Sequence, residues 1–136
     1  MKVKLDQDGM MPIRKHATDA GIDIKAAEDA YIPPQGAALV RTGVHIQLPH
    51  GTVGLIRSRS GMMMKYGIIT DGTIDEGFTG EIMIELFNHS GISYDVHRGD
   101  RIAQLVITPT YYFDLELVGE LDDSDRGTDG YGSTGR

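Results

Sequence analysis

The chain has no cysteine, and its acidic residues outnumber its basic ones by 20 to 13 over 136 residues. Without cysteine it forms no disulfide and carries no thiolate nucleophile, which is consistent with a reducing compartment. The formal charge of −7 argues against nonspecific nucleic-acid binding, because such binding needs a basic surface. A small anionic ligand held by a few local arginines is still compatible with this charge.

Long apolar runs are also missing. No stretch is long enough to span a bilayer, and residues 1–6 lack the apolar segment of a secretory signal peptide. We therefore expect a cytoplasmic protein that binds neither membrane nor nucleic acid. A chain of 136 residues has the size of one domain with a core of its own.

Glycine is abundant, and 18 glycines separate short segments typical of strands. This pattern predicts an all-β, jelly-roll-like barrel over residues 1–121, followed by a flexible glycine-rich arm over residues 122–136. Residues 61–66 form the single predicted short helix, with Ser60 as its N-cap. Asp71-Gly72 is typical of a tight hairpin turn. The predicted strands cover residues 21–26, 31–32, 37–41, 44–48, 52–57, 68–70, 80–88, 94–96, 101–108 and 115–117.

The last residues combine glycines with hydroxyl, guanidinium and aromatic groups. Ordering glycine costs conformational entropy, so we expect residues 126–135 to be mobile until a ligand holds them. Closely spaced backbone N–H groups, the hydroxyls of Ser133 and Thr134 and the Arg126 guanidinium suit a polyphosphate. The Tyr131 ring offers a flat face for stacking on a base. Taken alone, this segment indicates either a nucleotide lid or an ordinary solvated terminus.

Four internal segments also carry polar residues beside predicted strands or the helix. Arg59 and Ser60 precede the helix, where backbone N–H groups, a hydroxyl and a guanidinium suit an anion. Asp75 lies close to the predicted hairpin, and Phe78 follows three residues later. Gln104 is a lone amide in an apolar strand, a position that more often faces a sheet edge than a ligand. The segments are residues 17–26, 57–61, 72–81 and 98–106.

Together with the tail, these segments resemble the five motifs of the trimeric deoxyuridine triphosphatases (dUTPases), in the same order and at the same spacing. The resemblance runs from about Ile13 to Gly135. It is carried by Ser-Arg-Ser-Gly (58–61), Gly-Thr-Ile-Asp (72–75), Gly-Asp-Arg-Ile-Ala-Gln-Leu (99–105) and Arg-Gly-Thr-Asp-Gly-Tyr-Gly-Ser-Thr-Gly (126–135). It implies a β-clip subunit, a homotrimer with active sites at subunit boundaries, and hydrolysis of dUTP to dUMP and pyrophosphate.

The resemblance also implies a role for each matching residue. Asp75 corresponds to the catalytic carboxylate, which orients and deprotonates the water that attacks the α-phosphorus. Asp23 corresponds to an aspartate near the waters bound to Mg²⁺, the expected cofactor, which bridges phosphate oxygens. Phe78 stands where the family usually has a tyrosine under the deoxyribose. The other substrate-binding positions are Arg59, Ser60, Gly61 and Gln104 for the phosphates, Asp71 and Gly72 for the uracil edge, and Arg126, Tyr131, Gly132, Ser133 and Thr134 for closure over the substrate.

Some residues depart from the family pattern or leave alternatives open. Asp129 puts a negative charge where the tail commonly has glycine or a neutral residue. Glu85 aligns with the catalytic glutamate of the related dCTP deaminases, although Met64 and Gly61 differ from the residues of those enzymes. A solvent-facing strand position is the other interpretation of Glu85. A dCTP deaminase, a bifunctional enzyme of the same fold and a nucleotide-sensing regulatory protein with an unknown partner are therefore the alternatives.

Overall fold

A computed structural model of the chain describes residues 1–125 and residue 127. Strands dominate this part of the chain, as the glycine-separated pattern predicts. They are β1 (Lys2–Leu5), β2 (Gly21–Lys25), β3 (Ala30–Ile32), β4 (Ala37–Val40), β5 (Val44–Gln47), β6 (Thr52–Arg57), β7 (Ile68–Ile69), β8 (Asp71–Ile74), β9 (Ile84–Asn88), β10 (Tyr94–Val96) and β11 (Arg101–Pro109). One helix, α1 (Ser60–Tyr66), lies between β6 and β7.

The strands of the described residues pair antiparallel in four small sheets. The largest sheet has the order β2-β11-β6-β8, and a three-stranded sheet has the order β4-β9-β7. Two further pairs join β1 with β5 and β3 with β10. Because consecutive strands repeatedly join different sheets, the fold brings together residues far apart in the chain.

The core lies between the inner faces of these sheets. Side chains along each strand point alternately into the core and outward. In β9, for example, Ile84, Leu86 and Asn88 are buried while Glu85 and Phe87 face outward. Burial of this aliphatic cluster supplies the main favourable term in folding. Its members are Ile24, Ala26, Ile32, Val40, Val44, Ile46, Leu48, Ile56, Met62, Ile68, Ile82, Ile84, Leu86, Val96, Ile102, Ala103 and Leu105.

Helix α1 follows the prediction in its extent but not in its cap. Its N-cap residue is Arg59, which makes no side-chain capping bond, so the prediction of Ser60 as the cap is wrong. Gly67 ends the helix at φ 66°, a left-handed conformation that glycine adopts without a steric penalty. In the described part of the chain, no helix is long and apolar enough to cross a membrane.

The tight hairpin predicted at Asp71-Gly72 is also wrong. Both residues lie inside β8, where Asp71 pairs with Arg57 and Gly72 with Ile56 of β6. Hydrogen bonding to β6 holds this segment extended, and Gly72 is not among the described residues with positive φ, which a type I′ turn would require.

The strand predicted at residues 115–117 is absent from the described structure, and β1 is an additional strand that the sequence did not indicate. Leu115 and Leu117 are 99% and 100% exposed, and no pairing is described for this segment. A strand needs a partner for its N–H and C=O groups, so propensity alone does not form one here. The predicted boundary between residues 121 and 122 stays a prediction.

Candidate active site

Asp75 and Phe78 lie in the wall of a cavity of about 610 Å³ at one end of β8. Residues 75–79 line this cavity together with His50, which lies in the turn between β5 and β6. Thr110 and Tyr112, which follow β11, also line the cavity. The cavity therefore brings the predicted carboxylate and the predicted sugar-contacting ring together on one surface.

A tight turn fixes the relative positions of Asp75 and Phe78. The Phe78 N–H donates to the Asp75 carbonyl oxygen at 3.1 Å. Gly77 has φ 89°, as the third residue of a type II turn must. Gly80 allows the Phe78 ring to lie close to the backbone, because a Cβ there would be 2.7 Å from the ring. The glycines at positions 77 and 80 thus each have a direct steric reason.

Glu76, the residue between Asp75 and Gly77, joins three separate parts of the chain. Its Oε2 accepts hydrogen bonds from the Tyr112 hydroxyl at 2.7 Å and from the Gly51 N–H at 2.8 Å. Its Oε1 lies 2.7 Å from Nδ1 of His50. The Tyr112 hydroxyl contributes most to lowering the pKa of Glu76 from 4.5 to about 2, followed by His50 and the Gly51 N–H. Glu76 is therefore an ionised acceptor at neutral pH.

A second group of predicted residues lies across the four-stranded sheet. Gln104 in β11 pairs directly with Asp23 of β2 on one side and with Arg57 of β6 on the other. Arg57 in turn pairs with Asp71 of β8 and donates a hydrogen bond to its carboxylate. Directly paired residues share one face of an antiparallel sheet, so these four side chains form a polar row. Gln104 thus lies in a central strand and not at a sheet edge.

Asp23 is the buried centre of this group. Only 6% of Asp23 is exposed, and Oδ1 accepts from Nε of Arg59 at 3.3 Å and from Nε2 of Gln104 at 3.2 Å. Its Oδ2 accepts from Nη1 of Arg101 at 3.0 Å. Arg59 also donates from Nη1 to the Arg101 carbonyl oxygen at 3.0 Å. The carboxylate therefore holds two guanidinium groups and one amide in place.

Beside this group is a second cavity, of about 490 Å³. Its lining includes four cationic side chains and one carboxylate: Lys25, Arg59, Lys65, Arg101 and Asp100. Gly61 also lines it, and a Cβ at Gly61 would meet no atom within 4 Å. Ser60 precedes Gly61 as the first residue of α1. The lining of this cavity thus carries a net positive charge although the protein as a whole is acidic. This charge makes the cavity suitable for an anion such as a polyphosphate.

The two cavities are separate within one chain. They share no lining residue, and the register of β6 with β8 shows why. Asp71 pairs with Arg57, whereas Ile74, just before Asp75, pairs with Gly54. Three residues of strand span roughly 10 Å, so Asp75 lies at least that far along the sheet from the polar row. The structure groups Asp75 with Phe78, and it groups Asp23, Arg59 and Gln104 elsewhere.

Four contributors to these groups were not among the predicted site residues: Arg57, Glu76, Arg101 and Tyr112. Their partners are remote in the chain. Arg57, Glu76 and Arg101 lie inside the polar segments 57–61, 72–81 and 98–106, whereas no local signal pointed to Tyr112. Of the predicted site residues, Arg126, Tyr131, Gly132, Ser133 and Thr134 lie outside the described residues, as does Asp129.

The described residues contain no group of three or more histidine, aspartate or glutamate side chains close enough to hold a metal ion. Asp23 does not fit a direct metal ligand, because two arginines and an amide already bond its oxygens. A carboxylate has about four acceptor positions, and three of those of Asp23 are used, which leaves one for a contact through water. These residues fit a magnesium ion that takes its direct ligands from phosphate oxygens and water.

Comparisons with known proteins give a consistent result. Residues 7–135 match the family model described as dUTPase. A deoxyuridine 5'-triphosphate nucleotidohydrolase from Gloeothece citriformis is 45% identical over 135 residues, covering 97% of this chain and 93% of that protein.

Two solved structures are also similar. A Staphylococcus bacteriophage 80alpha dUTPase with dUpNHpp has a TM-score of 0.93 at 35% identity, covering 99% of this chain and 98% of that one. A D95N mutant dUTPase from S. aureus phage phi11, described with a structural Mg(II) ion, has a TM-score of 0.83 at 32% identity. The match covers 90% of this chain and 98% of that one. The similarity confirms the all-β, jelly-roll-like fold expected from the sequence.

Proposed function

This chain belongs to the dUTPase family, and we propose that it hydrolyses dUTP to dUMP and pyrophosphate. The observation that carries the proposal is the joint position of Asp75 and Phe78 in one cavity, within a chain that matches the family over nearly its whole length. The relative from Gloeothece citriformis is a deoxyuridine 5'-triphosphate nucleotidohydrolase, and one similar structure holds the analogue dUpNHpp.

Asp75 is the general base in this proposal. Its carboxylate accepts a proton from a water molecule while the water oxygen bonds to the α-phosphorus. The bond from the α-phosphorus to the oxygen that bridges to the β-phosphate breaks, and pyrophosphate leaves with that oxygen. The turn of residues 75–78 orients the carboxylate relative to a sugar lying on the Phe78 ring. Asp75 then returns its proton to solvent.

The cationic cavity receives the phosphates. Arg59 and Gln104 contact phosphate oxygens, with the Ser60 hydroxyl and the backbone at Gly61 beside them. Asp23 supports this role because it holds both Arg59 and Gln104 by hydrogen bonds before the ligand arrives. Such preorganisation lowers the cost of ordering side chains on binding. The backbone of Asp71 and Gly72 reads the uracil edge.

Magnesium is the proposed cofactor, and Asp23 is the residue that contacts its bound water. When bound, Mg²⁺ draws charge from the phosphate oxygens and so favours attack on the phosphorus. Asp23 would accept a hydrogen bond from that water through Oδ2, which otherwise accepts only from Arg101.

A homotrimer with sites between subunits is part of the same proposal. Within one chain the Asp75 cavity and the cationic cavity are separate, so one substrate molecule needs residues from more than one subunit. The segment after β11 also supports assembly, since its apolar side chains lack cover in the single chain. Tyr111 and Phe113 are each 80% exposed, and Leu115 and Leu117 almost completely. A neighbouring subunit is the natural partner for this segment.

Product analysis tests the activity directly. The protein is incubated with Mg²⁺ and each deoxynucleoside triphosphate, and with UTP, and the products are separated and identified. We expect dUMP and pyrophosphate from dUTP. UTP should react at least about tenfold more slowly, because its 2′-hydroxyl presses on the Phe78 ring and such steric differences are worth 1–3 kcal/mol. The 5-methyl group of dTTP should be excluded similarly by backbone beside the base. Comparable rates on dUTP, UTP and dTTP would contradict this pocket.

Glu85 tests the deaminase alternative. It is an outward-facing residue of β9 that pairs with Leu39, and it lines neither cavity. We expect Glu85→Gln to leave pyrophosphate release from dUTP within about twofold of the wild type, as surface substitutions usually have small effects. Ammonia release from dCTP by the wild type, and its loss in this variant, would instead support a deaminase.

A further inference from the structure

Two remote parts of the chain meet at the Glu76 carboxylate. The Gly51 N–H and the His50 ring come from the turn between β5 and β6. The Tyr112 hydroxyl comes from the segment that follows β11. These partners are separated from Glu76 by 25, 26 and 36 residues, so their meeting is a property of the folded chain.

The contacts at Glu76 add side-chain restraints to a turn that the Phe78–Asp75 backbone hydrogen bond already closes. Glu76 is the second residue of this turn, and Gly77 is its third. The Glu76 side chain is 28% exposed, so its hydrogen bonds are partly shielded from water. Charge-assisted hydrogen bonds of this kind are shorter and stronger than neutral ones. The carboxylate therefore ties the turn to the body of the protein at a point adjacent to Asp75.

We propose that Glu76 is a positioning residue, which fixes the direction of the Asp75 carboxylate and the point where the C-terminal segment leaves the barrel. The inference rests on the proposed function of Asp75 as the general base. Glu76 acts through the turn on Asp75 and through Tyr112 on the segment leading to residues 113–125. Its partners bring both the base and the origin of that segment to the same cavity.

Two substitutions of Glu76 differ in how many of its hydrogen bonds they retain. Glu76→Ala removes all the acceptors and leaves the Gly51 N–H and the Tyr112 hydroxyl without their partner. Glu76→Gln keeps one carbonyl oxygen for both of these donors, and its amide N–H can donate to Nδ1 of neutral His50. A geometric role thus predicts rescue by glutamine, whereas a role that needs negative charge does not.

Steady-state kinetics with dUTP and Mg²⁺ measure the effect. We expect Glu76→Ala to lower kcat by about 10- to 100-fold with little change in KM, since a displacement of about 1 Å at a reacting group costs up to 10²-fold. Glu76→Gln should stay within about threefold of the wild type. Tyr112→Phe should lower kcat in the wild-type background but add little to Glu76→Ala, because residues of one network are not additive. Asp95→Ala, which removes an exposed carboxylate on β10 that lines neither cavity, is the matched control.

Amide hydrogen exchange keeps this inference separate from the proposed function. On the free protein, Glu76→Ala should speed exchange in residues 50–51 and 75–79, whereas Glu76→Gln and Asp95→Ala should not. A wild-type kcat in Glu76→Ala, equal losses in the alanine and glutamine variants, or unchanged exchange would each overturn the positioning role. If the wild type itself left dUTP intact, the proposed function would fail while the exchange data still tested the anchoring of the turn.

Discussion

Replacing Asp75 by asparagine should lower kcat for dUTP by about 10²–10⁴-fold, the usual contribution of a general base. The change is nearly isosteric, but it removes the negative charge and with it the ability to accept a proton. The turn that holds residue 75 is formed by backbone and by Gly77, so its geometry should survive. Affinity for a non-hydrolysable dUTP analogue should stay within a few fold, because the phosphates bind in the separate cationic cavity. Single-turnover rates and calorimetric titration measure the two effects separately.

The control for this experiment is Asp95→Asn, which makes the same chemical change at an exposed site outside both cavities. It should behave as the wild type in both assays. Circular dichroism and thermal melting of the Asp75→Asn variant check that the fold is intact. A variant with near-wild-type turnover would show that another group takes the proton.

Removing the residues after Asp125 should abolish most dUTP hydrolysis while leaving a folded, trimeric protein. The core described above lies entirely before this point, and its last member is Leu105. The deleted residues contain Arg126, Tyr131, Ser133 and Thr134, which we propose to close over the substrate and exclude water. Loss of closure should cost on the order of 10²-fold in kcat/KM or more, as misplaced substrate does. Mass spectrometry under native conditions checks the trimer.

Mixed trimers test whether one site uses several subunits. The truncated chain and the full-length Asp75→Asn chain are each nearly inactive, and the two are refolded together. If base and tail come from different chains, some sites in mixed trimers combine an intact Asp75 with an intact tail, and activity returns. The absence of recovery in verified mixed trimers would mean that each tail serves the base of its own subunit.

The sequence by itself determined the local chemistry of this protein. Alternation and glycine spacing indicated most of the strands, because strand periodicity and turn preference are set within a few residues. The glycines at positions 77 and 80 have steric roles in the turn of residues 75–78, although their pattern did not by itself predict that turn. The acidic composition argued against nonspecific nucleic-acid binding and was compatible with a small anionic ligand held by a few local arginines.

Only the tertiary structure decided which of these residues meet. Local propensity gave a hairpin at Asp71-Gly72, but pairing with β6 made the segment a strand. The contact of Asp23 with Gln104 spans 81 residues, and that of Glu76 with Tyr112 spans 36. The division of the predicted site residues between two cavities follows from strand register, which depends on how distant hydrophobic faces pack. No local pattern carries that information, because packing between strands joins residues whose neighbours in the chain are unrelated.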